Sequence, residues 1–95
     1  MSGYVIAEIE VHDPATYEEY KQLALSAIEA HGGRFVIRGG AAERLEGEWS
    51  PKRVVVIEFE SVEKAKHWYS SEQYRIPKEL RQRSAETRMI VVDGA

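Results

Sequence analysis

Cysteine is absent from the 95-residue sequence, and only three histidines are present. The absence of cysteine excludes a disulfide framework, a thiolate nucleophile and a cysteine-type zinc site. No two histidines have the sequence spacing of metal ligands, and the Walker and dinucleotide-binding patterns are missing. We therefore expect neither a bound metal nor a cofactor.

Long apolar runs and blocks of like charge are also missing. No segment approaches the roughly 20 apolar residues that a membrane span needs. The net charge is −3, from 13 basic and 16 acidic residues whose signs are interspersed, so no basic stripe suits a nucleic acid. The chain enters a strand pattern at residue 3 without the layout of a signal peptide. These features predict a cytoplasmic protein with no nucleic-acid or membrane partner.

The composition is that of an ordinary globular protein, with 43 % hydrophobic and 31 % charged residues. Its length fits a single domain, residues 1–95. A domain of this size buries only roughly 60–65 % of the surface of its unfolded chain. Its stability is therefore expected to be modest unless the chain forms an oligomer.

Strand and helix patterns follow one another along the chain. Residues 3–11 alternate and have one fully apolar face. Asp13 and Pro14 are typical of a helix start, and Gly32 is typical of a left-handed helix end. The patterns predict, in order, strand 3–11, a helix from 14 to 31, strand 34–38, strand 53–60, a helix after Ser61, a helical segment that restarts at Pro77, and strand 87–93. A short strand extension is also expected around 43–46.

This order of elements predicts an α+β protein with a ferredoxin-like βαββαβ fold, an antiparallel sheet and both helices on one sheet face. No element is left to cover the other face. That face is expected to carry apolar and charged side chains together: Tyr4, Ile6, Val36, Val54 and Val56, with Glu8, Arg34, Arg38 and Glu58. An apolar patch of this size indicates a homodimer, formed sheet against sheet about a two-fold axis.

Two Gly-Gly pairs flank the segment RFVIR and raise the question of a phosphate-binding loop. Such a loop needs glycines that lead from a strand into a helix N-terminus, where free N–H groups point at the anion. Gly32-Gly33 instead follows a helix, and Gly39-Gly40 follows a strand and leads into a connection. Helix capping and a strand-end bulge explain both pairs without a phosphate.

The charges on the uncovered face have two interpretations. Arg34 is expected opposite Glu58 across the hairpin, and burial in a dimer requires a partner for every charge. Under the first interpretation, these side chains form a salt-bridge network inside the dimer. Under the second, Arg38 binds a substrate beside Glu58 or Glu8, and burial raises the pKa of Glu58 so that it acts as a catalytic general base.

Further candidates lie near the layer between helices and sheet. His31, in the last turn of the first helix, is either a hydrogen-bonded structural residue or a catalytic acid or base. Tyr20, Trp68 and Tyr69 either belong to the core or form the walls of a substrate pocket. Arg81 either pairs with a neighbouring glutamate or reaches a ligand.

Five segments, DPATYEEY, HGGRFVIRGG, ERLEGEW, RVVVIEF and AKHWYSSEQY, together resemble the bacterial domain-of-unknown-function family DUF1330. That family belongs to the dimeric α/β-barrel superfamily, alongside small cofactor-free monooxygenases. The resemblance extends from Tyr4 to Gly94. It implies the ferredoxin-like fold, its pairing into a dimeric α/β barrel, and ligand entry between helices and sheet, but no particular activity. Pro77 departs from the uninterrupted helix that the family leads us to expect.

Three functions from different classes remain open. The first is a dimer that binds a small organic molecule and carries out cofactor-free catalysis of the oxygenase or isomerase type, with His31, Arg38 and Glu58 as its polar groups. The second is a non-catalytic module that binds a ligand in the same pocket. The third is a structural dimer whose charges serve only its interface. A retained ligand separates the first two from the third, and turnover separates the first from the second.

Overall fold

All 95 residues are described by the computed structural model, which contains four strands and three helices. In chain order these are β1 (Gly3–Val11), α1 (Pro14–Ala30), β2 (Arg34–Gly40), β3 (Val54–Phe59), α2 (Val62–Tyr69), α3 (Glu72–Ser84) and β4 (Ala85–Asp93). The strands form one antiparallel sheet in the order β2-β3-β1-β4. The predicted α+β class and ferredoxin-like arrangement are confirmed, with the second helical crossover divided between α2 and α3.

A serine sets the start of the last helix. The Ser71 Oγ accepts a hydrogen bond from the backbone N–H of Tyr74 at 3.2 Å, and α3 begins at Glu72. The predicted restart at Pro77 is therefore wrong. Proline lacks one intrahelical donor, but here it lies inside a helix that is already capped and packed. Asp13 caps α1 as predicted.

The core lies between one face of the sheet and the apolar stripes of the helices. The strands contribute alternate residues of β1 and β3 and the first residue of β4, namely Val5, Ala7, Ile9, Val55, Ile57, Phe59 and Ala85. The helices contribute Tyr17, Tyr20, Ala24, Ala27, Ile28, Ala65, Trp68, Tyr74 and Leu80. Full burial of one large apolar side chain stabilises the fold by roughly 1.5–3 kcal/mol, so this alternation decides which sheet face meets the helices.

A bulge in β2 reverses the face on which its later residues lie. The pairing with β3 shifts register between Phe35 and Ile37, which leaves Val36 as an extra residue. Beyond this bulge Arg38 lies opposite Val55, on the side of the helices, and its guanidinium carbon stands 4.3 Å from the centre of the Phe35 ring. The predicted placement of Arg38 on the uncovered face is wrong, because one extra residue moves the side chains beyond it to the other face.

The glycine pairs have the roles that the sequence predicts. Gly32 follows α1 with a φ of +75°, and Gly39 lies at a second register shift of β2 with a φ of +76°. Both angles fall in the left-handed region that glycine adopts without strain. Neither pair precedes a helix, so neither has the geometry of a phosphate-binding loop at a helix N-terminus.

The connection between β2 and β3 is irregular, and the predicted strand extension at 43–46 is wrong. The β2–β3 ladder ends where Gly40 meets Val54, so residues 43–46 have no strand beside them. The connection is anchored to the sheet by the indole of Trp49, whose Nε1 donates to a carboxylate oxygen of Glu8 at 3.0 Å. Leu45, by contrast, is 98 % exposed.

The sheet face opposite the helices is uncovered in the single chain. Its large apolar side chains are between 36 % and 60 % exposed, namely Ile6, Ile37, Ile90 and Val92. Two ion pairs lie among them, Arg34 with Glu58 and Arg88 with Glu8. The predicted pairing of Arg34 with Glu58 across the hairpin is confirmed.

None of the helices is both long enough and apolar enough to cross a lipid bilayer.

Candidate ligand-binding site

Two neighbouring cavities open between the second helical crossover and the edge of the sheet. The first has a volume of about 340 Å³ and is mostly apolar, lined among others by Val5, Ala65, Trp68, Tyr69, Met89 and Val91. The second has a volume of about 300 Å³ and is lined by Tyr69, Arg81, Gln82, Ala85, Thr87 and Met89. Because they share Tyr69 and Met89, we treat them as the two halves of one cleft, the β4 cleft. Its size is that of a small-molecule pocket.

Arg81 supplies a buried positive charge in the second half of the β4 cleft, whereas the cation of the first half is Lys66, whose residue is exposed. The side chain of Arg81 is only 4 % exposed, yet it takes part in none of the ion pairs of the protein, and the alternative of a pairing with Glu79 does not occur. Its Nε donates one hydrogen bond, to the Tyr74 hydroxyl at 3.3 Å. A guanidinium carries several N–H donors, and a buried charge needs partners for them. The remaining donors are left to an acceptor that enters the cleft.

Two buried tyrosines support the guanidinium from the core side. The hydroxyl oxygens of Tyr20 and Tyr74 lie 2.8 Å apart, and the second of them accepts from Arg81. Burial raises the pKa of both phenols above the ordinary value, so both stay protonated near neutral pH. Burial alone would lower the pKa of Arg81, but its contacts with the two phenols more than offset this and the net shift is upward. The cluster is thus a fixed cation held by neutral hydroxyls.

Two further polar atoms of the cleft have no hydrogen-bond partner. Nε1 of Trp68 and Oγ1 of Thr87 are both buried and unpaired. Trp68 lines the apolar half of the cleft, and Thr87 lines the half that contains Arg81. Leaving a buried polar group unpaired costs roughly 1–3 kcal/mol, and proteins rarely do so without a reason. Two residues of the cleft lining, Trp68 and Thr87, therefore each hold a buried polar atom without a partner.

The six residues proposed from the sequence are not gathered in one place. Trp68 and Tyr69 lie in the β4 cleft. Tyr20 lies behind it and is linked to Arg81 only through Tyr74. Arg38 lies on β2, at the opposite edge of the sheet.

His31 lies outside the cleft, at the C-terminal cap of α1. Its Nε2 is 3.3 Å from the side-chain oxygen of Gln73, which favours the hydrogen-bonded structural interpretation. The ring of His67 comes within 5.4 Å of it, centre to centre, although the two histidines belong to different helices. The chain contains no group of three or more His, Cys, Asp or Glu side chains that could hold a metal ion.

Glu58 lies on the uncovered face of the sheet. Its carboxylate accepts from the Ser2 hydroxyl at 2.5 Å and from the Tyr4 hydroxyl at 3.2 Å, and it pairs with Arg34. The hydrogen bond from Ser2 contributes most to holding the pKa of Glu58 below its ordinary value, with Tyr4 and Arg34 acting in the same direction against the effect of burial. In the single chain the donors stabilise the ionised form, and the raised pKa expected on burial in a dimer stays a prediction.

Arg81 is the residue whose role the sequence left undecided, although a signal was present. The buried positions of α3 include Tyr74, Pro77, Leu80, Arg81 and Ser84, at helical spacing. An arginine on the buried stripe of an amphipathic helix is unusual, because arginines are mostly exposed. The missing carboxylate partner, in contrast, is a property of the tertiary structure alone.

The family comparison gives an unambiguous assignment. The sequence matches the family model described as Domain of unknown function (DUF1330) over residues 2–95, and the chain belongs to that family. The resemblance seen in the five sequence segments is confirmed. No curated protein matches the sequence.

Several solved structures share the fold. RPA0582, a protein of unknown function from Rhodopseudomonas palustris, has a TM-score of 0.80 at 18 % identity, with 99 % of this chain and 82 % of that chain covered. SnoaB, a cofactor-independent oxygenase from Streptomyces nogalater, has a TM-score of 0.68 at 11 % identity, covering 99 % and 93 %. A dimeric protein of unknown function with a ferredoxin-like fold from Bacteroides fragilis has a TM-score of 0.56 at 12 % identity, covering 98 % and 96 %. Similarity at these identities is evidence of a common fold only.

Proposed function

We propose that this protein binds a small organic acid in the β4 cleft. The observation that carries the proposal is Arg81, a guanidinium that is 4 % exposed, lines the cleft and has no carboxylate partner in the chain. A ligand carboxylate would supply the missing acceptor. Hydrogen bonds between arginine and carboxylate are short, often bidentate, and about twice as strong as those between neutral groups.

The other half of the cleft suits the body of such an acid. Its lining is apolar, with Tyr69, Met89 and Val91 facing a cavity of about 340 Å³. A ring or a short branched chain would bury apolar surface there. The proposed ligand is therefore an apolar group that carries one carboxylate.

Cofactor-free catalysis of the oxygenase or isomerase type is the second candidate function. It is supported by the fold shared with SnoaB and by the position of Arg81, which suits stabilisation of negative charge on a substrate oxygen. Because a shared fold does not imply a shared reaction, turnover of the bound acid has to be measured. A ligand that is bound but never converted favours a non-catalytic binding module.

The proposal includes a single domain of residues 1–95 that forms a cytoplasmic homodimer through the uncovered sheet face. Exposed Ile6 and Ile90 and the ion pairs of Glu8 and Glu58 support an interface there, as does the dimeric relative in fold from Bacteroides fragilis. The β4 cleft opens on the helix side of the sheet. Dimerisation through the uncovered face would leave the helix-side lining of the cleft accessible, with Ile90 at the border between the cleft and that face.

Nuclear magnetic resonance titration with two matched probes tests the charge requirement. Benzoate carries a carboxylate, and benzyl alcohol has a similar shape without the charge. We expect the wild-type protein to bind benzoate more tightly, and Arg81→Gln to weaken benzoate by about tenfold while affecting benzyl alcohol little. Equal affinities of the wild type for both probes would contradict a carboxylate site.

A second pair of variants keeps the test valid if Arg81→Gln does not fold. Val91→Phe fills the apolar half of the cleft, whereas Val92→Phe places the same ring on the opposite face of β4. Only the first is expected to abolish benzoate binding. Native mass spectrometry of gently purified protein completes the test, with a small acid expected on the wild type and none on Val91→Phe.

A further inference from the structure

A second cationic cluster lies under α1, where the side chains of Lys21, Arg38 and Arg53 meet. Lys21, Arg38 and Arg53 line one small hollow between α1 and the β2–β3 hairpin, together with the rings of Tyr17 and Phe35. We call it the β2 hollow. Its volume is about 20 Å³, which is room for about one water molecule, so an anion would lie at its mouth beside the arginines rather than inside it.

Two irregularities of β2 build this cluster. The bulge at Val36 turns Arg38 to the helix side, where its guanidinium lies over Phe35. Gly39 has no Cβ, and a Cβ at that position would collide with the guanidinium of Arg53. Arg53 is thereby allowed to lie directly against the backbone next to Arg38. The guanidinium carbon of Arg53 is 5.7 Å from the centre of the Tyr17 ring.

The two arginines of the hollow have no anionic partner. Neither takes part in an ion pair, and Nε of Arg53 is buried without a hydrogen bond. Lys21 pairs at 3.2 Å with Glu18, whose side chain is 61 % exposed. Like charges around one hollow repel each other, so their arrangement is unfavourable until an anion lies between them.

We infer that the β2 hollow binds a small oxyanion between Arg38 and Arg53, with a phosphate group preferred. Planar guanidinium groups donate pairs of parallel hydrogen bonds to phosphate and carboxylate oxygens. Two guanidinium groups and a nearby ammonium suit a dianion better than a monoanion. The site shares Met89 with the lining of the β4 cleft but differs from it in charge and size, because the cleft offers one guanidinium and a large apolar volume. The β2 hollow contacts only the anionic group of a ligand, and the rest of the ligand stays in solvent.

Nuclear magnetic resonance titrations at constant ionic strength test this site with inorganic phosphate and with acetate. We expect saturable phosphate binding, the largest amide shifts at residues 38–40 and 53, and an affinity for acetate about tenfold lower. Phosphate shifts spread over the surface without saturation, or acetate bound as tightly as phosphate, would overturn the inference.

Variants that each remove one positive charge test whether phosphate binds at the β2 hollow. Arg38→Gln and Arg53→Gln are each expected to weaken phosphate binding about tenfold, whereas Arg83→Gln, at an exposed arginine of α3 without an ion pair, should leave it unchanged. Arg38 is exposed and its replacement should not affect folding, so the test remains if Arg53→Gln is unstable. An equal loss in Arg38→Gln and Arg83→Gln would show a general charge effect and overturn the site.

Discussion

Nε of Arg81 lies 3.3 Å from the hydroxyl oxygen of Tyr74, and the two side chains are 4 % and 0 % exposed. This contact joins the charge of the β4 cleft to the aromatic core. Tyr74 in turn meets the hydroxyl of Tyr20 at 2.8 Å, so three buried polar groups depend on one another. Substitution of any of them should therefore change both the free energy of unfolding and ligand binding in the β4 cleft.

Removal of the central hydroxyl tests this dependence. Tyr74→Phe leaves Arg81 and Tyr20 without their common partner, and we expect the free energy of unfolding to fall by about 1–3 kcal/mol. Urea denaturation measures the change. Tyr69→Phe is the matched control, because the Tyr69 ring lines the cleft and its exposed hydroxyl makes no hydrogen bond, so its effect should stay within about 0.5 kcal/mol. Equal losses in the two variants would contradict the proposed coupling.

The buried tyrosines also predict a loss of stability in alkali. Burial raises the pKa of Tyr20 and Tyr74 above the unfolded value of 10.0. Above pH 10 the unfolded chain therefore releases protons that the folded chain keeps, and the free energy of unfolding falls as pH rises. The limiting slope is about 1.4 kcal/mol per pH unit for each tyrosine.

Urea midpoints measured from about pH 8 to about pH 11 would reveal this slope. The double variant Tyr20→Phe/Tyr74→Phe should show a shallower decline than the wild type, whereas Tyr69→Phe should keep the wild-type slope. A decline of the same steepness in the double variant would assign the alkaline loss to other groups.

Gly39 is expected to be the most sensitive glycine of the β2–β3 connection. Gly39→Ala combines a left-handed backbone, at φ +76°, with displacement of the flexible end of the Arg53 side chain, and should destabilise the protein by about 1–2 kcal/mol. Gly47 has a similar φ of +81° but open space around it, so Gly47→Ala should cost only about 1 kcal/mol. The difference between their urea midpoints isolates the contact with Arg53. Equal midpoints would mean that the guanidinium moves aside freely.

The uncovered sheet face predicts the outcome of a charge substitution. Ile90 is 60 % exposed on this face, and Ile90→Glu should convert the proposed dimer to a monomer at micromolar concentration. Leu23→Glu, at a 47 % exposed position of α1, should leave the dimer intact. Sedimentation velocity measures both variants. A wild type that is monomeric in the same experiment would rule out the interface.

The fold was predictable from the sequence because its signals are local. Alternation in β1, the cap at Asp13 and the order of elements act over a few residues, and the Arg34–Glu58 pairing follows from the hairpin. The position of Arg38 was not predictable in this way. A bulge is decided by how two strands fit together, and RFVIR alternates as well with a bulge as without one.

The candidate site was predictable only in part. Trp68 and Tyr69 follow from the pattern of α2, and both line the cleft. The role of Arg81 depends on the absence of any acidic side chain within ion-pair distance of it. The short distance between the rings of His31 and His67 depends on how two separate helices pack. Such facts arise from tertiary packing, which the spacing of residues along one element does not encode.

The extra residue in β2 also determines on which face of the sheet each arginine of this strand lies. Arg34 precedes Val36 and pairs with Glu58 on the face proposed for the dimer, whereas Arg38 follows it and lies on the side of the helices. Deletion of Val36 would place Arg38 on the same sheet face as Arg34. Two guanidinium groups would then lie near the single carboxylate of Glu58, and the β2 hollow would lose one of its cations. In this strand, the number of residues determines how charge is divided between the two faces of the sheet as much as the identity of the residues does.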